Sequence, residues 1–121
     1  MDDMEDARGN VLVVEDDPDT AETWIWILAK AGYGVRKAPD RDAALKFMKT
    51  NLYSYVVLDL FMPGMSAEVF MQAMRKRPQI KVILITAASD AQHEAKRLKI
   101  ANFLKKPVSE EQLLEALRTA K

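Results

Sequence analysis

The segment Tyr53–Met65, YSYVVLDLFMPGM, constrains the fold more strongly than any other part of the chain. Its apolar run Val56–Leu58 predicts a strand buried on both faces, as in a parallel sheet covered by helices. The strand ends on a charged residue, Asp59, and Pro63 and Gly64 then mark a turn. Because open α/β sheets bind their ligands at the carboxyl ends of strands, we predict that Asp59 lies at the functional edge of such a sheet.

Predicted strands alternate with predicted helices along the chain. The strands are expected at Val11–Val14, Val35–Ala38, Tyr53–Leu60, Lys81–Ala87 and Asn102–Lys106. The helices are expected from Pro18 to about Ala31, over Arg41–Thr50, from Ser66 or Ala67 to Pro78, from Ser89 to about Lys99, and after a capping box at Ser109–Gln112. This alternation predicts an α/β fold with a parallel sheet, helices on both faces and right-handed crossovers.

Length and composition limit the classes of protein that fit. The 121 residues suffice for one domain, and the formal net charge of zero offers no basic surface to nucleic acid or to an anionic membrane. The chain has no cysteine, which excludes disulfides and thiolate metal sites. No apolar run approaches the roughly 18 residues needed to span a bilayer. We expect a cytoplasmic protein with no membrane contact, no direct nucleic acid binding and a flexible acidic tail over residues 1–10.

Three carboxylates are expected to meet at one point of the sheet edge. In one common strand order, 2-1-3-4-5, strands 1 and 3 are neighbours, so Glu15 and Asp16 lie beside Asp59. Two like charges about 4 Å apart repel by roughly 4 kcal/mol at an effective dielectric constant near 20. Mg²⁺, which binds carboxylates together with waters and phosphate oxygens, would relieve that repulsion. Zinc is disfavoured because His93 is the only histidine and cysteine is absent.

Thr86 and Lys106 extend the same edge, because they end strands 4 and 5. Taken singly, each residue of this set has an ordinary explanation: Thr86 favours strands, Lys106 suits a solvated strand end, and Asp59 suits a turn. Together they match a carboxylate that accepts a phosphoryl group, with a cation and a hydroxyl to stabilise the transferred oxygens. Because these residues are expected at the same edge of the sheet, a phosphoryl-acceptor site is favoured over the separate ordinary explanations.

The chain resembles the receiver domains of two-component response regulators, the chemotaxis regulators among them, over nearly its whole length. Four motifs carry the resemblance: VLVVEDDP (Val11–Pro18), VVLDLFMPGM (Val56–Met65), ILITA (Ile83–Ala87) and LKKP (Leu104–Pro107). The resemblance implies a receiver domain over residues 11–121 with a three-layer, flavodoxin-like (βα)5 fold and a five-stranded parallel sheet of order 2-1-3-4-5.

The resemblance also assigns roles at the predicted site. It implies that Asp59 takes a phosphoryl group from a phosphohistidine on a sensor histidine kinase or a histidine phosphotransfer protein. Mg²⁺ would be held by Asp16, Asp59 and the backbone carbonyl of Phe61, with Glu15 acting through water. Such a domain is not an ordinary enzyme, although it catalyses its own phosphorylation and dephosphorylation.

A switch follows from the same resemblance. Thr86 and Lys106 would contact the phosphoryl group, Lys106-Pro107 would be a cis peptide, and Phe103 would turn inward as Thr86 moves. The fourth helix has a thin apolar face, Ala91, Ala95 and Leu98, which predicts low local stability. We therefore expect the face formed by helix 4, strand 5 and helix 5 to change on phosphorylation and to bind the downstream protein.

The first helix is a candidate docking surface for the phosphodonor. Helical periodicity leaves Trp26 and Ile27 outside the inward stripe. That stripe is expected to comprise Ala21, Ile25, Leu28 and Ala29, with Trp24 at its border. An exposed Trp beside an exposed Ile is typical of an interaction site, and in this family the first helix docks the kinase. The alternative is that Trp26 lies along the neighbouring helix and is mostly covered.

The sequence departs from the family pattern at Phe61, Ser66-Ala67, Lys99–Asn102 and Val108. Phe61 stands where polar residues are common, and we expect it to shield the acyl phosphate from water. A Mg²⁺-dependent phosphohydrolase would need an acid at this position, and Phe61 cannot transfer a proton. A degenerate receiver that serves only as an interaction module is the other alternative, which the complete set of site residues disfavours. The chain would be a receiver that stands alone or one excised from a longer protein.

Overall fold

The computed structural model describes residues 8–121, so most of the expected flexible tail over residues 1–10 lies outside the described residues. Five parallel strands form one sheet in the order β2-β1-β3-β4-β5. The strands are β1 Asn10–Val14, β2 Gly34–Ala38, β3 Tyr55–Asp59, β4 Lys81–Thr86 and β5 Asn102–Lys105. The helices between and after them are α1 Pro18–Lys30, α2 Arg41–Thr50, α3 Ala67–Met74, α4 Ala91–Arg97 and α5 Glu110–Arg118. The expected flavodoxin-like (βα)5 fold and its strand order are confirmed.

The three central strands, β1, β3 and β4, are apolar along their length because both of their faces are covered. Successive side chains of a strand point to opposite faces, so Leu12 and Val56 pack beneath α2, α3 and α4. Val11 and Val57 pack instead against α1 and α5. The sheet is therefore the middle layer between two cores, and the polar side chains of its three central strands are concentrated at the strand ends.

Each helix begins at a residue whose side chain accepts a hydrogen bond from a backbone N–H of the first turn. The caps are Asp17, Asp40, Ser66, Asp90 and Ser109. The predicted capping box of Ser109 with Gln112 is present. These caps follow the strand ends closely, so they fix where the chain turns away from the functional edge of the sheet.

Two helix ends differ from the expectation. Helix α4 stops at Arg97 rather than near Lys99, because Lys99 adopts a left-handed backbone conformation with φ of 60° that cannot continue a helix. Helix α3 stops at Met74, well before Pro78, and a turn joins it to β4. Both helices are consequently short.

The orientation predicted for α1 is wrong for Ile27. This side chain is only 6% exposed and belongs to the core, with Ala21, Trp24 and Leu28. Ile25 is only partly buried and Ala29 is exposed. The helix is rotated from the predicted orientation because this rotation buries the large apolar ring of Trp24 together with Ile27, which bury more apolar area than Ile25 and Ala29 would.

Trp26, in contrast, is 61% exposed, so the prediction that it projects from the helix is confirmed. The ammonium of Lys30 lies 4.0 Å from the centre of its ring, which is a cation–π contact along the helix surface. No helix among residues 8–121 is long and apolar enough to cross a membrane.

Candidate functional site

Strand register brings the acidic residues together. Val14 of β1 lies beside Leu58 of β3, so the next residues of the two strands, Glu15 and Asp59, follow at the same edge. Asp59 in turn lies beside Ile85 of β4, which places Thr86 one residue beyond it. The residues in this row come from parallel strands, whose carboxyl ends all meet at one edge. The side chains that the sequence singled out are therefore neighbours in the fold.

Glu15, Asp16 and Asp59 each offer a carboxylate oxygen, and these oxygens lie within 4.8 Å of one another. Glu15 and Asp59 are buried, whereas Asp16 is exposed to solvent. At such separations each pair of charges repels by about 3 to 4 kcal/mol at an effective dielectric constant near 20. The predicted convergence of the three carboxylates is confirmed, and the cluster resembles a Mg²⁺ site.

Lys106 supplies a cation to this cluster. Its Nζ lies 3.2 Å from Oε1 of Glu15 and 3.6 Å from Oδ1 of Asp59. The ring of Trp24 lies beneath the same ammonium, with its centre 5.5 Å away. The Lys106-Pro107 peptide bond is cis, as expected. One ammonium cannot neutralise three carboxylates, so the cluster remains net negative.

Oδ1 of Asp59 is buried and accepts no hydrogen bond from any described residue. A buried polar atom without a partner is rare in a native protein, because leaving it unpaired costs about 1 to 3 kcal/mol. The carboxylates of Glu15 and Asp16 beside it offer hard oxygen ligands, the type that Mg²⁺ prefers. The residues present therefore fit a bound Mg²⁺ ion, and they leave an oxygen of Asp59 available for chemistry.

Burial raises the pKa of Glu15 above its ordinary value, and the neighbouring charge of Asp59 raises it further. The backbone N–H of Asp17, which donates to Oε2 of Glu15 at 3.1 Å, opposes this shift, as does the ammonium of Lys106. The Glu15 carboxyl is therefore harder to ionise in the folded protein than in water.

Thr86 is fully buried at the end of β4. Its Oγ1 accepts a hydrogen bond of 3.0 Å from the backbone N–H of Ala88, which leaves its own hydroxyl hydrogen free to donate. The neighbouring strand contributes Lys105 at the paired position and then Lys106. The edge therefore presents a hydroxyl, an ammonium and an unpartnered carboxylate oxygen, as a phosphoryl acceptor requires.

A family model described as "Response regulator receiver domain" matches residues 11–118 of this chain. The chain belongs to that family. Receiver domains of response regulators act in two-component systems, where they interact with histidine kinases and downstream effectors.

Named relatives agree with this placement of the receiver domain. This chain is 35% identical over 105 residues to the transcriptional regulatory protein YrkP of Bacillus subtilis, which is itself described as uncharacterized. The match covers 85% of this chain and 45% of YrkP. It is 32% identical over 111 residues to the transcriptional regulatory protein DltR of Streptococcus agalactiae, covering 89% of this chain and 50% of DltR. The chain thus spans about half the length of the curated relatives it matches.

Solved receiver structures are similar in fold. The chemotaxis protein CheY4 of Vibrio cholerae superimposes with a TM-score of 0.82 at 26% identity, covering 93% of this chain and 98% of CheY4. The signal receiver domain of a histidine kinase from Syntrophus aciditrophicus gives a TM-score of 0.79 at 27% identity, covering 91% and 87% of the two chains.

The other residues singled out from the sequence lie on α1, on β5 and just after β3. Phe103 lies on β5 beside Leu84 and is partly exposed, at 39%. The side chain of Phe61 is 60% exposed just after β3, so it can reach solvent beside Asp59. Trp26 lies on α1, the helix that follows Glu15 and Asp16. The structure does not bring Ile27 to that surface, since Ile27 is in the core.

Sequence reasoning missed Arg41, which is buried at the start of α2 and only 1% exposed. Its Nη2 donates to the carbonyl of Asp59 at 3.0 Å and to that of Leu60 at 2.6 Å, and its Nη1 donates to the carbonyl of Met65 at 2.7 Å. Burial lowers the pKa of Arg41, and the charge of Asp59 opposes this. The signal was its position, because a cation in the first turn of a helix has the unfavourable sign for the helix dipole.

Proposed function

We propose that this receiver domain accepts a phosphoryl group on Asp59 and acts as a phosphorylation-dependent protein-interaction switch. The observation that carries the proposal is the buried, unpartnered Oδ1 of Asp59 beside two further carboxylates and Lys106. An oxygen in that position is a nucleophile held ready at the carboxyl end of a central strand. The phosphodonor is a phosphohistidine of a sensor histidine kinase or of a histidine phosphotransfer protein.

In the transfer step, a carboxylate oxygen of Asp59 attacks the phosphorus atom. The phosphorus–nitrogen bond of the donor breaks, and a phosphorus–oxygen bond to Asp59 forms. The donor imidazole keeps the bonding electron pair and takes up a proton. Lys106 neutralises charge on the transferred oxygens, and the free hydroxyl hydrogen of Thr86 donates to one of them. Hydrolysis of the resulting acyl phosphate, catalysed by the same residues, resets the switch.

Mg²⁺ is the cation proposed for the acidic cluster. Asp16, Asp59 and the backbone carbonyl of Phe61 would hold it, and Glu15 would act through a water molecule. When bound, the ion offsets negative charge among the carboxylates and the phosphoryl oxygens.

Two surfaces of the domain are proposed for its partners. The phosphodonor docks on α1, the helix that follows Glu15 and Asp16, where Trp26 offers a large exposed ring. The downstream protein binds the face formed by α4, β5 and α5, which responds through Thr86 and Phe103. Helix α4 has seven residues, and Arg97 pairs with Glu68 of α3 and Glu94 of its own helix. A short helix fastened by exposed ion pairs has a low cost of displacement. A receiver domain over residues 11–121 and a cytoplasmic location are part of the same proposal.

The test is intact-mass analysis after incubation with acetyl phosphate and Mg²⁺. The wild type should gain the mass of one phosphoryl group, and Asp59→Ala should gain none. Chelation of the divalent cation should abolish the gain in the wild type. An unmodified wild type would contradict the proposal and would favour a receiver that is only an interaction module. Steady turnover of a generic phosphomonoester would instead identify a phosphohydrolase.

A further inference from the structure

Arg41 is a buried charge that the phosphorylation chemistry does not use. It lies in the first turn of α2 with 1% exposure, and it forms no ion pair among the described residues. Charged side chains are almost never fully buried unless they have partners, because the loss of hydration is costly. The hydrogen bonds that Arg41 makes are therefore the reason that its burial is tolerated.

Those hydrogen bonds join the two ends of one loop. Nη2 donates to the carbonyls of Asp59 and Leu60, where β3 ends, and Nη1 donates to the carbonyl of Met65, just before α3 begins. The loop between these points contains Pro63, which has no N–H, and Gly64, which has a φ of 92°. Hydrogen bonds from a charged donor are about twice as strong as neutral ones, so the guanidinium is a firm clamp.

The clamp acts one residue away from the proposed metal ligand. The carbonyl of Leu60 belongs to the planar peptide group that ends at the nitrogen of Phe61. Fixing that oxygen fixes the peptide plane from which the Phe61 backbone continues. With Met65 held at the other end, the backbone of Phe61 lies between two fixed points, which limits the rotation of its carbonyl. Nη1 and Nη2 donate to carbonyls and not to the carboxylate of Asp59, so Oδ1 of Asp59 stays without a hydrogen bond from any described residue.

We propose that Arg41 is a positioning residue that orients the backbone carbonyl of Phe61 for a divalent cation by clamping the loop between β3 and α3 from both ends. This inference rests on the proposed function, since the cation is the one that supports phosphorylation of Asp59. Arg41 touches neither the cation nor the phosphoryl group. Arg41 holds the loop in place before either of them binds. Removing Arg41 should therefore weaken cation binding more than a substitution that destabilises the protein away from the loop.

The experiment compares Arg41→Met, which keeps an apolar stem without donors, with Met48→Ala on the same helix. Met48 is buried in the core beneath the sheet, so its truncation lowers stability without removing a hydrogen-bond donor from the loop. Mg²⁺ affinity is measured by calorimetric titration of each folded protein. We expect affinity to fall by about tenfold to a hundredfold in Arg41→Met, as for other residues that orient metal ligands, and to stay within about twofold in Met48→Ala.

A second measurement is made without Mg²⁺. Amide hydrogen exchange of residues 60–65 should accelerate in Arg41→Met and stay near the wild-type rate in Met48→Ala, because only the first variant releases the loop. Arg41→Lys should give an intermediate result, since one ammonium cannot bridge both ends of the loop with the geometry of a guanidinium. If Arg41→Met does not fold, Arg41→Lys decides the question by the same two measurements.

Wild-type Mg²⁺ affinity in the folded Arg41 variants, or an equal loss in Met48→Ala, would overturn the inference. Unchanged loop exchange in the Arg41 variants would overturn it as well. A failure of the proposed function looks different, because then the wild type itself takes no phosphoryl group. The exchange comparison still tests the clamp in that case, since it requires no ligand.

Discussion

Asp59 and Arg41 are two buried charges at the same end of β3, and their surroundings are opposite. The guanidinium of Arg41 donates to three carbonyls. Oδ1 of Asp59 accepts from no described residue and lies among like charges. Both side chains are costly to bury, and Arg41 is compensated by three hydrogen bonds, whereas Asp59 has, among the described residues, only the ammonium of Lys106 at 3.6 Å against two neighbouring carboxylates. The comparison teaches that a buried charge whose terminal donors are hydrogen-bonded to the backbone supports structure, whereas a carboxylate oxygen without a hydrogen bond indicates where a ligand binds.

Replacing Arg41 by Met should have the largest effect on stability. Three carbonyls lose a charged donor at once, so the free energy of unfolding should fall by about 3 kcal/mol. Urea denaturation measures the loss, and Arg36→Met is the matched control, because Arg36 is exposed on β2, where its guanidinium lies over the ring of Phe47. Equal losses in the two variants would mean that Arg41 is not a structural charge.

Replacing Lys106 by Met should have the largest effect on chemistry. The acidic cluster loses the cation that lies 3.6 Å from Asp59, and the rate of phosphoryl gain from acetyl phosphate should fall by about a hundredfold. Lys105→Met is the control, because Lys105 is exposed and its Nζ reaches the carbonyl of Ser89 instead. Mass spectrometry over time gives both rates, and a wild-type rate in Lys106→Met would remove this residue from the site.

Replacing Asp59 by Asn should stabilise the protein in the absence of Mg²⁺, opposite in sign to the effect at Arg41. The substitution removes one of three crowded charges, and we expect a gain of about 1 kcal/mol in the free energy of unfolding. Mg²⁺ should raise the melting temperature of the wild type and have little effect on Asp59→Asn or Asp16→Asn. Asp17→Asn should keep the response to Mg²⁺, because Asp17 caps α1 and is not in the cluster. A less stable Asp59→Asn would show that repulsion does not dominate the cluster.

The raised pKa of Glu15 makes the free energy of unfolding depend on pH. Its pKa is raised in the folded state, so the folded protein binds more protons than the unfolded chain between the ordinary glutamate pKa and the raised value. The free energy of unfolding contributed by Glu15 therefore falls as pH rises through that window. Because the charge of Asp59 is one cause of the shift, Asp59→Asn should make the fall smaller, which melting curves across the window would reveal.

Replacing Phe61 tests whether its ring shields the acyl phosphate on Asp59 from water. Its ring is 60% exposed beside the site, and Phe61→Asn replaces an apolar cover with a side chain that can hold water. The acyl phosphate of Phe61→Asn should hydrolyse several-fold faster than that of the wild type. The half-life of the phosphorylated form is the measurement, and an unchanged half-life would rule out shielding.

Trp26 gives the smallest expected effect, because it acts on docking and not on the buried charges. Trp26→Ala should weaken binding to the phosphodonor by about 1 to 2 kcal/mol, with the rate from acetyl phosphate unchanged. Leu52→Ala is a control at another exposed apolar residue, distant in sequence from α1. Equal affinity in Trp26→Ala and the wild type would exclude α1 as the docking surface.

Much of the fold follows from local sequence signals. Local sequence patterns predict the apolar strands and the five capped helices. The strand order then brings Glu15, Asp16 and Asp59 together. The orientation of α1 could not be predicted the same way, because Ile25 and Ile27 are equally apolar and only packing decides between them. The burial of Arg41 depends on carbonyl acceptors far along the chain, which no local pattern encodes.

The most direct measurement of the central claim is an experimental structure of the protein with beryllofluoride and Mg²⁺. The account predicts the beryllium group on a carboxylate oxygen of Asp59, within reach of Lys106 and Thr86, with the metal held by Asp16, Asp59 and the carbonyl of Phe61. A structure with Asp59 free of the group, or with the metal bound away from these three oxygens, would contradict it.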